Sequence, residues 1–315
     1  MLLKACRMVV AKWVLLLPLI MVLAACNKSA DKPTFKVFAS PDDAGTALLE
    51  AAKSGDQNAL LAIFGADSKD IIFSGDAVQD KEVVGAFTGA YGVMHRWRKM
   101  PDGSQVLLIG ADNFAFPIPL KKNAGGQWFY DTAAGKEEIL TRRIGRNELA
   151  VIDVCGALAD AQSEYYSQPH DGAKKGQFAV KFISDTGKQN GLYWESAEGQ
   201  PKSPLGPLAA FATGEGYSAK PNQHTPFHGY YFHMLTRQGV HAPGGAKDYV
   251  VNGKMTGGFA FVAYPAEYGN SGIMTFIINQ DGVLLQKDLG TTTTATATAI
   301  SEFDPDTGWS PVELQ

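Results

Sequence analysis

The chain has 315 residues, of which 45% are hydrophobic and 19% are charged, and its formal net charge is −4. This length and apolar content suffice for two hydrophobic cores, so we predict two domains. The acidic balance argues against a nucleic-acid partner, because binding to phosphate backbones needs clustered positive charge.

The first 26 residues have the three parts of an export signal. Lys4, Arg7 and Lys12 form a basic region, residues 13–23 are apolar, and the segment ends in the tetrapeptide LAAC at Cys26. Small residues directly before a cysteine resemble the lipobox of bacterial lipoproteins. The resemblance implies cleavage before Cys26 and attachment of lipid to its thiol. A transmembrane anchor with a chance cysteine is the alternative, but the apolar segment is short for a membrane span.

The lipobox implies a location as well. A lipid-anchored protein of this kind faces the periplasm, and two or three acyl chains hold it stably at the membrane. Asn27 follows the lipid cysteine, whereas an aspartate there would, in the resembled lipoproteins, retain the protein at the inner membrane. We therefore expect the cell envelope, and the outer membrane rather than the inner one.

Removal of the signal changes the charge and the cysteine content. It leaves 25 basic and 32 acidic residues, a formal charge of −7, and Cys155 as the one cysteine without lipid. No internal disulfide can then form. Cys155 lies in the apolar sequence VIDVCGALA, so we expect a small buried hydrophobe rather than a nucleophile.

A polar tether, residues 27–39, leads to a predicted N-terminal α+β domain of residues 40–140. The peptide SPDD, beginning at Ser40, has an N-cap serine, a proline in the first turn and acidic residues near the positive helix end. It predicts a first helix that ends at Gly55. Further helices are predicted from Asp56 to Phe64 and from Asp80 to Tyr91.

The spacing of apolar residues then changes from helical to alternating. This change predicts strands at residues 105–109, 114–120 and 127–131. Pro117 and Pro119 place the middle strand at an edge or on a bulge. Helices followed by a curved sheet that closes on GGQWFYD resemble the cone-shaped fold of nuclear transport factor 2. That fold hosts enzymes, ligand binders and modules without activity, so it implies no single function.

A C-terminal domain, residues 141–315, is predicted to begin with a long amphipathic helix from Arg142 to Gln168. A hairpin-like segment, Phe178–Ile183 and Gly191–Trp194, lies in the irregular region that follows. Four apolar segments bounded by turn residues then predict the strands Tyr230–Thr236, Gly258–Tyr264, Ile273–Asn279 and Val283–Lys287. The glycine of Gln280-Asp281-Gly282 makes the last pair a hairpin.

The whole chain is therefore predicted to be α+β. A helical N-terminal part with a small curved antiparallel sheet precedes a long helix packed on an antiparallel β-meander. The sequence YPAEYGNSGIMTFIINQDG and the order helix, loop, meander resemble the globular half of type IV pilins. Pilins begin with an apolar assembly helix, whereas the helix here lies in mid-chain and carries charge, so only the fold is implied.

Six longer segments resemble the bacterial family known as domain of unknown function 2950. These segments are SPDDAGTALLEAAKSGD, SGDAVQDKEVVGAF, RRIGRNELAVID, HGYYFHMLTRQG, MTGGFAFVAYPAEYGNSGIMTFIINQDG and FDPDTGW. The resemblance spans nearly all of the chain after residue 26. It implies no activity.

The first candidate site is the cluster Arg142–Glu148 at the predicted domain junction, together with the loop from Pro221 to Gly229. Its binding residues are Arg142, Arg143 and Arg146, and Asn147 and Glu148 lie beside them. Guanidinium groups bind carboxylates or phosphates with two parallel hydrogen bonds. A helix that starts near Arg142 would add free N–H groups, and His224 and His228 could donate to the same anion. The alternative is a network of ion pairs between these arginines and the acidic residues Asp131, Glu137, Glu138 and Asp153.

Other residues suggest weaker sites. The spacing of the histidines fits no closed metal site, and the glycine-rich loops match no nucleotide-binding motif, so we predict neither metal nor cofactor. His95, Trp97 and Trp128 could line a cavity in the N-terminal cone. Tyrosines and tryptophan among glycine loops suit carbohydrate or peptide contacts, with burial as the alternative. This aromatic set comprises Tyr193, Trp194, Tyr217, Phe227, Tyr230, Tyr231, Tyr264 and Tyr268.

No catalytic residues are assigned, and the sequence favours a protein that is not an enzyme, because no nucleophile–base pair or paired-carboxylate signature is present. We expect a lipid-anchored envelope module that contacts a protein or a cell-wall polymer. The alternative is a small-ligand binder or an enzyme that uses the N-terminal cavity.

Overall fold

The computed structural model describes residues 35–215, 217 and 225–312 of the chain. Cys26 and His224 lie outside the described residues. Residues Thr34–Gln315 form one compact unit, and the division at residue 140 stays a prediction. None of the helices in the described ranges combines the length and apolar character needed to cross a membrane.

The chain is α+β, as predicted. Its helices are α1 Pro41–Ser54, α2 Gln57–Phe64, α3 Lys69–Ile72, α4 Ala77–Val93, α5 Thr132–Ser167, α6 Gly206–Glu215 and α7 Thr293–Ala299. The strands of the N-terminal part are β1 His95–Lys99, β2 Gln105–Ile109, β3 Phe114–Ala115, β4 Leu120–Lys122 and β5 Trp128–Tyr130. Those of the C-terminal part are β6 Tyr230–Leu235, β7 Arg237–Gln238, β8 Lys247–Asp248, β9 Val250–Val251, β10 Lys254–Met255, β11 Ala260–Pro265, β12 Met274–Asn279, β13 Leu284–Asp288 and β14 Ser310–Pro311.

The N-terminal helices begin and end close to where their capping residues predict. Ser40 and Asp43 form a reciprocal capping box at the start of α1, and Gly55 ends that helix with φ +66°. The side chain of Asp56 caps α2. The third predicted helix, α4, starts three residues before Asp80, because Asp76 is its N-cap.

The N-terminal sheet has the strand order β1-β2-β4-β5, and β3 pairs with β2 beside β4. The predicted strand at residues 114–120 is two short strands, because Pro117 and Pro119 interrupt the pairing between them. Strand β1, with the charged sequence HRWRK, was not predicted, since its exposed residues lack an apolar alternation.

The C-terminal sheet contains the four predicted strands and the short β14, in the order β14-β13-β12-β11-β6, all antiparallel. One core joins this sheet to α5. It includes Val151, Val154 and Leu158 of the helix and the fully buried Phe261 and Phe276 of the sheet. The predicted shared core of helix and meander is therefore confirmed.

Two predictions of secondary structure in the middle of the chain are wrong. Segments 178–183 and 191–194 form no hairpin: Ile183 bridges Tyr193 in parallel, and Phe178 bridges Met255 of β10. The long helix starts at Thr132 rather than near Arg142. Asp131, directly after β5, accepts a hydrogen bond from the Ala134 N–H at 3.2 Å, and no proline follows to break the helix.

Candidate functional site

The three arginines of the predicted cluster lie in the interior of α5, so the expected free N–H groups are not beside them. The helix begins at Thr132, so the free N–H groups of its first turn belong to residues 132–135 and lie about two turns or more before Arg142. No helix N-terminus is therefore available to bind an anion beside Arg142, and that prediction is wrong. The role of each arginine therefore depends on its own contacts.

Arg142 and Arg146 are exposed. Arg142 takes part in an ion pair, which is the alternative to an anion site that the sequence left open. Its guanidinium forms an ion pair with Glu138 at 2.6 Å and lies over the ring of Phe114 at 4.7 Å. Asp131, another predicted partner, pairs with Lys121 instead, at 2.7 Å. Exposed pairs of this kind contribute little to stability.

Arg143 is 7% exposed and forms hydrogen bonds with segments that are distant from it in the sequence. Its guanidinium donates to the backbone oxygens of Asp70, at 3.1 Å, and of Ile71. It also donates to the side-chain oxygen of Asn270. Burial lowers the pKa of Arg143, and the nearby carboxylate of Asp80 opposes that effect. The side chain acts as a clamp between α5, the segment before α4 and the loop before β12.

One turn further along α5, the fully buried Asn147 makes the same connection. Its side-chain oxygen accepts from the Gln79 amide at 2.8 Å, and its nitrogen donates to the Ser271 backbone oxygen at 2.8 Å. Gly229 packs so closely that a Cβ there would lie 2.6 Å from Asn147 Nδ2. We call Gln79, Arg143, Asn147, Gly229 and Ser271 the polar junction.

The polar junction continues to Asp76 and Tyr217. One carboxylate oxygen of Asp76 caps α4 by accepting from the Val78 and Gln79 N–H groups at 3.1 Å. The other accepts from the Tyr217 hydroxyl at 2.6 Å and from the Gly229 N–H at 3.2 Å. Burial raises the pKa of Tyr217, so the hydroxyl stays protonated and donates. Tyr217 is thereby fixed at one end of an apolar groove.

This groove, which we call the aromatic groove, has a volume of ≈ 280 Å³ and lies between α5, α6 and β6. Five members of the predicted aromatic set line it: Tyr193, Tyr217, Phe227, Tyr230 and Tyr231. Residues that the sequence did not single out complete the lining, among them Val154, Leu158, Phe182, Leu208, Ala212 and Phe232. The structure thus brings together most of a set that is scattered along the sequence.

Helix α6 forms one wall of the aromatic groove and was not predicted. Leu205, just before the helix, and Leu208, Ala209 and Ala212 recur at the spacing of one helical face, and all four line the groove. Phe211 is not among the lining residues and is 57% exposed. The helix-forming sequence PLAAFA was the available signal, but it is short, begins with a proline and has a glycine directly before it.

Glu215 and His228 lie close to Tyr217, at the same end of the groove. The imidazole Nε2 of His228 is 3.5 Å from a carboxylate oxygen of Glu215, and the two side chains are 15% and 23% exposed. That oxygen has no hydrogen-bond partner among the described residues. Burial raises the pKa of Glu215; the nearby His228 opposes this effect, and the carboxylates of Glu82 and Asp76 add to it. A carboxylate in this setting favours a cation over an anion.

The structure does not bring the predicted anion site together. Arg143 donates its hydrogen bonds to backbone oxygens of residues 70, 71 and 73 and to the side chain of Asn270, and His228 faces the carboxylate of Glu215. The backbone of His228 has φ +49°, which directs the chain into the glycine that contacts Asn147. The loop that carries His228 does meet α5, but it meets Asn147 rather than the arginines.

The predicted cavity residues are divided between the surface and the core of the N-terminal part. His95 is exposed and stacks on the Tyr91 ring at 4.0 Å between centroids. Trp128 is 8% exposed and belongs to a core filled by side chains such as Phe64 and Leu120. Trp97 packs against this core, and its buried indole N–H has no hydrogen-bond partner among the described residues.

A second cavity, of ≈ 260 Å³, lies where the FDPDTGW segment closes on β13. Each charged residue that lines it has an ion-pair partner: Lys287 pairs with Asp306 at 2.9 Å, Asp304 with His241 at 2.9 Å, and Glu302 with Arg237 at 3.1 Å. Hydrogen bonding to Asp304 raises the pKa of His241. This cavity therefore offers fewer uncommitted groups than the aromatic groove does.

The Cys155 thiol provides a first prediction. It is buried within the core, and burial raises its pKa to about 12. Since the thiolate is the reactive form, the chain from Asn27 onward will not react with iodoacetamide at pH 8 until denaturant is added. Mass spectrometry of the alkylated protein measures this. Rapid modification of the folded chain would contradict the placement.

No cluster suited to a metal ion occurs among the described residues.

Comparison with known proteins gives one match. The model of the family described as "Protein of unknown function (DUF2950)" matches residues 35–312. That range contains every residue of the polar junction and of the aromatic groove. No curated protein and no solved structure matches the chain.

Proposed function

The chain belongs to the DUF2950 family, and we propose that it is a non-catalytic, lipid-anchored cell-envelope protein that contacts a protein or a cell-wall polymer through the aromatic groove. The observation that carries this proposal is the convergence of aromatic side chains from separate segments on one groove. Aromatic side chains supply a large contact area for little loss of conformational freedom, and they dominate the energetics of many interfaces.

The polar junction supports this proposal by fixing the groove to a rigid frame. Arg143 and Asn147 tie α5 to the loops before α4 and β12, and Asp76 ties Tyr217 to the same point. Binding groups that are held in place before the partner arrives lose less entropy on association. On this proposal, the residues of the polar junction have a common role, which is to hold the walls of the aromatic groove in place.

The proposed location rests on the lipobox at Cys26, which lies outside the described residues. Anchoring at the periplasmic face, with the outer membrane favoured, brings the groove within reach of envelope proteins and cell-wall polymer. Cys26→Ser is expected to leave an uncleaved precursor that takes up no labelled palmitate. Cleavage and labelling unchanged from the wild type would exclude Cys26 as the lipid attachment site.

The alternative function is a small-ligand binder or an enzyme that uses the N-terminal part. One observation favours it: the buried Trp97 indole N–H has no described partner, as a donor to a ligand would have none before binding. The packing of Phe64 and Leu120 around Tyr130 favours the interaction module instead, because it fills the space that a ligand needs.

A crosslinking experiment in intact cells tests the proposed function. We expect a photoreactive benzoylphenylalanine in place of Tyr193, which lines the groove, to form an adduct with a specific envelope component. The matched control carries the same group in place of Phe114, which is 52% exposed on the N-terminal sheet. Adducts at position 114 alone, or at neither position, would refute contact through the groove.

A further inference from the structure

Strand β6 is an edge of the C-terminal sheet. Strand β11 pairs with it from Tyr230 to Leu235 on one side. Within the described ranges no strand pairs with its other side, where only Phe227 forms a single bridge to Tyr230. In an antiparallel sheet, alternate residues direct their N–H and C=O groups to opposite sides. An edge strand therefore presents a row of backbone groups that can pair with another chain.

The aromatic groove lies along this edge. Tyr230 and Phe232 line it from β6 itself, and Leu158 and Leu208 line it from the two helices. A peptide that pairs with the edge would direct every second side chain to the groove. Strand addition with pockets for alternate side chains is a recurring mode of peptide recognition.

The chemistry of the lining favours a peptide over a sugar. Most lining atoms belong to hydrocarbon side chains, and two of the tyrosine hydroxyls are already committed. Tyr230 donates to the Met274 backbone oxygen at 2.9 Å, and Tyr217 donates to Asp76 at 2.6 Å. A saccharide needs several hydrogen-bonding groups to replace water, whereas apolar side chains of a peptide need none.

The end of the groove near Tyr217 is acidic. Glu215 has a carboxylate oxygen without a hydrogen-bond partner in the described ranges, and Glu82 and Asp76 add negative charge there. His228, at 3.5 Å, is the one described group that can offset this charge. A lysine or arginine side chain of a partner would supply the missing donor, and charge-assisted hydrogen bonds are the stronger kind.

We infer that β6 binds an extended peptide as an added strand, with alternate apolar side chains in the aromatic groove and a lysine or arginine beside Glu215. This inference rests on the proposed function and names the partner's chemistry. The segment Phe232–Leu235 supplies the backbone contacts. A protein with an exposed, basic and apolar segment is the class of partner that fits.

The probe for this inference is a random heptapeptide library displayed on phage, selected on the full chain in detergent. We expect enriched sequences to alternate apolar residues and to contain lysine or arginine. Leu208→Glu, which places a charge in the groove wall, is expected to abolish the enrichment. Phe211→Glu, on the same helix but outside the groove, is expected to retain it. Leu208 is only partly buried where it packs against the core, and Phe211 is exposed, so both variants are expected to fold, and circular dichroism verifies this.

Synthetic versions of one enriched peptide test the two contacts separately. Two peptides are compared, one N-methylated at its odd residues and the other at its even residues. Because only one edge of the added strand pairs with β6, one peptide should bind at least about tenfold more weakly and the other should bind as before. Glu215→Gln should weaken binding of the basic peptide about tenfold and leave a version with norleucine at the basic position unaffected. Equal binding of both N-methylated frames would overturn strand addition, and an unchanged affinity in Glu215→Gln would overturn the charge contact.

The failure of this inference differs from the failure of the proposed function. If the wild-type chain enriches no sequences beyond those that the Leu208→Glu chain enriches, the inference that the groove binds a peptide is overturned. If position 193 still crosslinks in cells, the groove remains a contact surface, and a glycan adduct there would identify the other class of partner. If position 193 forms no adduct, both the peptide inference and the proposed contact function fail.

Discussion

Replacement of Arg143 by methionine is expected to lower the free energy of unfolding by about 3–5 kcal/mol. The side chain is 7% exposed and bonds backbone oxygens of Asp70, Ile71 and Phe73 as well as Asn270. Methionine has a similar length but no donor, so several buried acceptors would lose their partner, at a cost of about 1–3 kcal/mol each. Denaturant unfolding of the chain from Asn27 at pH 7 measures the change.

Arg146→Met is the matched control. Arg146 lies one turn away on the same helix and is exposed, so the expected change is within about 0.5 kcal/mol. If both variants lose the same small amount, Arg143 does not act as a clamp between these segments.

Phe276→Ala is expected to cost about 3–5 kcal/mol, because it removes a fully buried ring from the core between α5 and the sheet. The ring lies 6.0 Å from that of Tyr230, which lines the aromatic groove, so the cavity would also loosen the groove. Phe211→Ala, at a 57% exposed position, is the control and should change the unfolding free energy by less than about 0.5 kcal/mol. A cost below about 1 kcal/mol for Phe276→Ala would contradict the shared core.

Short-range signals in the sequence predicted much of the fold. The cap at Ser40 and the turn at Gly282, which has φ +72°, each depend on a few neighbouring residues, and both are found where predicted. The start of α5 was mispredicted because its cap, Asp131, also follows a strand and was assigned to that strand. The capping role of an aspartate is visible only when the end of the strand before it is known.

The candidate site depends on contacts that no local pattern reveals. Asn147 and Ser271 meet although 124 residues separate them, and Asp76 and Tyr217 meet across 141. An arginine on a helix looks the same in the sequence whether it is exposed, as Arg146 is, or buried, as Arg143 is. The aromatic set was recognised, but its convergence on a groove required the position of α6, whose short apolar sequence gives a weak signal.

The most direct test of the groove as a contact surface compares crosslinking from position 193 in two chains in intact cells. One chain carries Leu208→Glu, whose side chain enters the groove, and the other carries Phe211→Glu, whose side chain does not. The account predicts that the adduct is lost or reduced at least tenfold in the first chain and retained in the second. Equal yields in the two chains, at equal amounts of protein, would contradict it.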